Sequence, residues 1–168
     1  MLKKTLILSI TFFFLTTNVF AAGSGGDGGS EGGSAKVKSN YEKAVTHIKS
    51  AKKYEKKGNL DKAKKRYAKA QKLLIKSNDK TPYKADTLNY LGFTTRKLGD
   101  FENGEKYYLQ GLAIDPNHIG INEYLGELYV QTNRIQKASE RIQVLKGCNC
   151  YEYKELELII KTKGTKIY

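Results

Sequence analysis

The chain has 168 residues, with 30 Lys or Arg against 17 Asp or Glu, a formal net charge of +13, two His, two Cys and no Trp. Two lone histidines, without a phosphate loop, a nucleophile elbow or a metal-ligand motif, leave catalysis, metal binding and cofactors with little to draw on. The expectation is a protein that is not an enzyme and needs no cofactor.

The first segment reads as a leader. Met1-Leu2-Lys3-Lys4 is a short basic start, TLILSITFFFLTTNVF is a largely apolar run of 16 residues, and Val19-Phe20-Ala21 offers small residues where a signal peptidase cuts. This predicts an exported, periplasmic protein cleaved after Ala21, with retention as an N-terminal anchor as the alternative; the run is short for a spanning helix of about 20 residues. Ala22 to Ala35 follows, with glycine at seven of fourteen positions. Such a composition predicts a flexible tether with a reach of about 20 Å. The domain is therefore expected over residues 36–168, enough for one small core.

Basicity is concentrated at the start of that domain. Lys36 to Lys84 carries 17 cations and 4 anions, whereas Ala85 to Tyr168 carries 11 of each. The basic end is either a solvated helical surface or a face that docks on an anionic envelope surface.

Next comes an internal repetition. Tyr90-Leu91-Gly92 and Tyr124-Leu125-Gly126 stand 34 residues apart. From Gly92 the pattern continues through Gly99, Phe101, Gly104, Tyr108, Gly111 and Pro116. The same offsets from Gly126 reach Asn133, Ile135, Ala138, Ile142, Leu145 and Cys150, and from Ala51 they reach Gly58, Leu60, Ala63, Tyr67, Ala70 and Ile75. Small or turn-forming residues meet their like in the first slots, and large apolar residues meet large apolar ones. Leu91, Thr95 and Leu98 follow helical steps, Gly99-Asp100 turns the chain, and a second helix starts at Phe101. Gly92 with Gly104, and Gly126 with Ala138, are placed to let two helices approach closely, with Phe101 and Tyr108 filling the space between pairs. The first interval, from Ala51 to Gly92, is 41 residues. Its seven extra residues amount to about two helical turns, which lengthens the second helix and leaves Asn78 to Pro82 as the connecting loop.

A 34-residue helix–turn–helix with this small/large pattern resembles the tetratricopeptide repeat. The resemblance is best over 85–118, moderate over 119–152 and limited over 44–77 to Tyr54–Ala70. It departs from the usual pattern at Gly104 and Gly111 (alanine is usual), Thr95 (an aromatic) and Ser50-Ala51 (Leu-Gly). The implied fold is all-α: a right-handed superhelical stack of about three helix pairs, closed by a capping helix over 151–161.

The resemblance also implies a mode of action, since first helices of such pairs line a concave groove that takes peptides or partner helices. Carried over, the groove holds Ile48, Lys52, Glu55, Asn89, Tyr90, Phe93, Arg96, Lys97, Glu123, Tyr124 and Glu127. The partner expected is a protein or peptide, not a nucleic acid; membrane association is expected only through an uncleaved leader or the basic face. Family members that clamp a peptide carboxylate carry a Lys and an Asn, then an Asn, then a Lys and an Arg. Those places hold Ile48 and Lys52, Tyr90, Gly120 and Tyr124 here, so the clamp is absent. Finally, Cys148-Asn149-Cys150 reads as a local disulfide, a bridge to another chain, or a soft-metal or redox pair.

Overall fold

The computed structural model describes residues 37–164. The leader and the glycine-rich tether lie outside the described residues. The order of elements is α1 (Asn40–Lys56), α2 (Leu60–Lys80), α3 (Ala85–Lys97), α4 (Phe101–Ile114), α5 (Ile119–Gln131), α6 (Ile135–Leu145) and α7 (Tyr151–Lys161). The fold is all-α: three antiparallel helix pairs stacked side by side, with α7 against α5 and α6.

Each pair turns by the same device. Gly58, Gly99 and Asn133 occupy equivalent positions and have φ of +71°, +98° and +57°. Glycine, and next to it asparagine, reaches this left-handed region at low steric cost. The amide of the residue that follows then donates back into the finished helix: Asn59 to the Tyr54 carbonyl, Asp100 to Thr95 and Arg134 to Tyr129, at 2.9, 3.1 and 2.7 Å. Asn59 and Asp100 go on to cap the next helix, accepting from the Lys62 and Asn103 amides. At the start of α1, Ser39 and Glu42 form a capping box in which each side chain accepts from the other's backbone amide.

The small positions of the second pair do what their spacing predicts, whereas Gly126, expected to meet α6 at Ala138, faces the capping helix. A Cβ on Gly104 would stand 3.3 Å from both the Arg96 amide nitrogen and the Gly92 carbonyl oxygen, so α3 and α4 meet backbone to backbone. A Cβ on Gly92 would lie 2.5 Å from the Tyr108 ring, which is fully buried. On Gly126 it would meet Leu156 of α7, so the last pair uses its small residue to receive the cap.

Two local expectations are corrected. Helix α2 runs to Lys80, so Asn78–Lys80 are helical and the connection is Thr81–Lys84. Pro82 explains where it stops: proline disfavours helical backbone in the residue before it, and Thr81 has left the helical region at φ −143° and ψ 84°. Phe101 does not fill an inter-pair space; it is the first residue of α4 and remains 38% exposed, while Tyr108 alone takes that role. Helix α2 has 21 residues and α4 has 14, a difference equal to the seven-residue excess in the first repeat interval.

Candidate functional site

The expected groove residues sit on α1, α3 and α5, the first helices of the three pairs. Helix α3 is central, and nine of its thirteen residues are buried. This extent of burial follows from side chains that cross in front of it. The Lys52 ammonium of α1 donates to the Tyr124 hydroxyl of α5 at 3.1 Å, and both lie over Phe93 of α3. Phe93, 1% exposed, has Tyr124 at 4.7 Å and the edge of Tyr67 at 5.6 Å between ring centroids, with the Lys52 nitrogen 4.9 Å from its own centroid.

Around this ring runs a chain of charged contacts between pairs. Arg96 of α3 donates to Glu127 of α5 at 2.6 Å, with both side chains essentially removed from solvent, and to Gln131 at 3.1 Å. Lys97 pairs with Glu55 of α1 at 2.8 Å, and Glu55 also accepts from the Tyr67 hydroxyl at 2.7 Å. The protonation states follow from these surroundings. Burial alone lowers the Arg96 pKa, but the Glu127 carboxylate more than offsets it and the guanidinium stays firmly charged. Burial lowers the Lys52 pKa although Glu123 and Glu127 oppose the shift. Burial and the nearby carboxylates keep the Tyr124 and Tyr67 phenols protonated.

Thus Ile48, Asn89, Phe93, Arg96, Glu123 and Glu127 are buried, whereas Lys52, Tyr90, Lys97 and Tyr124 are half-buried. Where the concave side opens, it does so between α1, α5 and α7. A pocket of about 370 Å³ there is lined by Lys52, Lys53, Glu55 and Lys56 of α1, Glu123 and Tyr124 of α5, and Tyr151 and Glu152 of α7. Tyr151 is 64% exposed. Sequence reasoning placed Lys52, Glu55, Glu123 and Tyr124 in the groove but not Lys53, Lys56, Tyr151 or Glu152. The last two belong to the capping helix, outside the repeat register used to infer the groove.

The histidines and cysteines lie elsewhere. His47 faces Arg66 of α2 at 3.2 Å. His118 caps α5, its Nδ1 accepting from the Ile121 amide while Nε2 lies 3.1 Å from Asp86 of α3. Cys148 and Cys150 are joined as a disulfide in the α6–α7 turn, with Cα atoms 5.2 Å apart. Among the described residues, no group of three or more His, Cys, Asp or Glu side chains is placed to hold a metal ion. No described helix is long and apolar enough to cross a membrane.

The α3–α4 pair, with its backbone-to-backbone crossing, its left-handed turn at Gly99 and the closing Asp115-Pro116, decides the comparison. Residues 85–118 match the tetratricopeptide repeat family. Solved structures extend the likeness in fold to the neighbouring pairs. The Yersinia enterocolitica type III secretion translocator chaperone SycD is 16% identical, over 77% of this chain and 92% of that one, with a TM-score of 0.52. SycD in complex with a peptide of the translocator YopD aligns at 16% identity over 71% and 88% of the two chains, TM-score 0.51. PcrH in complex with the chaperone binding region of PopD aligns at 15% identity over 71% and 89%, TM-score 0.50. At these identities the likeness is one of fold, a stack of tetratricopeptide-type helix pairs. No curated protein matches the chain.

Proposed function

We propose that this protein is a non-catalytic protein-interaction module of the cell envelope, exported by its N-terminal segment, that takes a peptide or partner helix on its concave side. The observation that carries the reading is the pocket between α1, α5 and α7, where two tyrosines stand among lysines and glutamates from three separate helices. Half-exposed aromatics supply contact area at small entropic cost, and flanking charges set orientation. Structures of the same fold that hold a peptide of the translocator YopD or the chaperone binding region of PopD support the class of ligand. Because Phe93, Arg96 and Glu127 are enclosed, the ligand meets Lys52, Tyr124 and Tyr151 first.

The test is capture of envelope proteins by the chain, at low and high salt, beside the variant Lys53→Glu, Lys56→Glu, Tyr151→Ala. These three residues are exposed, so the variant keeps the fold. A discrete protein retained at high salt and lost with the variant supports the pocket, and equal retention by both forms rejects it. Export is checked separately by the mass of the protein recovered from cells: a chain beginning at Ala22 supports it, and an intact Met1 in the cytoplasmic fraction rejects it.

A further inference from the structure

Helix α2 carries a feature that the concave pocket does not use. Lys62, Lys65, Lys69, Lys72, Lys76 and Lys80 recur at steps of three and four and are all exposed. At 3.6 residues per turn they fall within roughly 80° of arc and extend over about 27 Å of helix. The helix buries Ala63, Tyr67, Ala70 and Leu74 on the opposite side, so this lysine ridge points straight out of the stack. No acidic residue stands between Lys62 and Lys76. Among the described residues, none of the six makes an ion pair with a carboxylate. Six aligned cations, with Asp61 and Asp79 of the same helix near its two ends and no ion pair formed, raise the local potential.

We propose that the outer face of α2 docks on the surface of an anionic lipid bilayer. This goes beyond the concave-pocket reading and shares no residue with it. Three observations favour a bilayer over another polyanion. The ridge is made of lysines, mobile point charges suited to a diffuse headgroup layer, and the arginine beside it, Arg66, is half-buried and turned to His47 rather than presented as a planar fork for single phosphates or carboxylates. The aromatic ring beside the ridge, Tyr54 of α1, is half-buried and lies under the Lys62 ammonium, 5.8 Å from the ring centroid, so it offers little stacking surface to a nucleic-acid base. Beside the ridge, on α2 itself, Ile75 is 42% exposed, an apolar side chain able to enter the interface as the lysines settle on the headgroups.

The experiment uses the chain from Ala22 onward, which contains the whole compact unit Lys36–Tyr168. It is sedimented with vesicles of mixed phosphatidylglycerol and phosphatidylcholine, with vesicles of phosphatidylcholine alone, and titrated with soluble polyglutamate. The expected result is binding to the anionic vesicles that weakens steeply with salt, and none to the neutral ones. Replacing Lys65, Lys69, Lys72 and Lys76 with Gln weakens it on the order of 100-fold or more, at roughly fivefold per cation. Replacing Lys106, Lys137, Lys146 and Lys154 instead, exposed lysines on the rest of the domain, weakens it far less. Equal loss with the two sets would show that net charge and not the ridge is read, overturning the proposal. Binding to neutral vesicles, or to polyglutamate but not to anionic vesicles, overturns it too; the latter assigns the ridge to an acidic protein. Unchanged helical circular dichroism keeps each variant interpretable.

Discussion

The Arg96 guanidinium on α3 and the Glu127 carboxylate on α5 meet at 2.6 Å with their side chains 2% and 1% exposed. They join the second and third helix pairs through a charge pair with almost no access to water. Removing one member of such a pair strands the other, at a cost of about 3–5 kcal/mol, whereas replacing both with apolar residues of similar volume is often near neutral. Glu127→Ala is therefore expected to lower the urea unfolding free energy by about 3–5 kcal/mol, and Arg96→Met with Glu127→Leu to recover most of it. A loss below about 1 kcal/mol for the single variant would place the pair in solvent.

Gly92 is the tightest test of the helix crossing. Ala is the better helix former by about 1 kcal/mol, but its Cβ here would lie 2.5 Å from the buried Tyr108 ring. Overpacking of this kind costs about 1–3 kcal/mol, so Gly92→Ala is expected to destabilise on balance. A raised melting temperature would show that the ring has room to move.

The pH dependence of stability near neutrality is expected to include His47. Burial lowers its pKa, helped by the neighbouring Arg66 and Lys69. Between that lowered value and the unfolded value of about 6.5, the unfolded chain binds the extra proton. The stabilisation from neutral His47 is thus complete above the unfolded pKa and is lost as pH falls below it toward the folded value. Unfolding free energies measured from about pH 7.5 down to about pH 5 should fall in the native protein, and fall less in His47→Gln. Parallel curves for the two would remove His47 from the account.

Reduction of the Cys148–Cys150 disulfide should matter little for folding. The bond closes a ring of three residues, and the chain-entropy argument assigns so short a loop about 1–2 kcal/mol. Urea unfolding with and without reductant should differ by no more than this. A larger loss would mean that the bond positions α7, whose Leu156 and Ile159 cover the end of the stack.

Much of the architecture was legible in the sequence because each helix pair has to pack on another of its kind. The recurrence of Gly58, Gly99 and Asn133, and of Gly92 and Gly126, records two local requirements: a left-handed turn residue, and a small residue where another side chain or helix comes close. These act over a few positions, so spacing reports them directly. The longer α2 was legible for the same reason, as a shift of two helical turns in the register.

Only the tertiary structure decided which positions remained open to a partner. Lys52 and Tyr124 are 72 residues apart, and their contact over Phe93 depends on how far the stacked pairs curve toward one another. That curvature sums many small packing rotations, and no local pattern encodes it. It enclosed Phe93, Arg96 and Glu127 and moved the opening to the edge formed with Tyr151 of the capping helix. The same summation decided that no other helix brings a carboxylate into ion-pair contact with the six α2 lysines, because such a pair depends on which helix comes near, whatever the helix's own spacing.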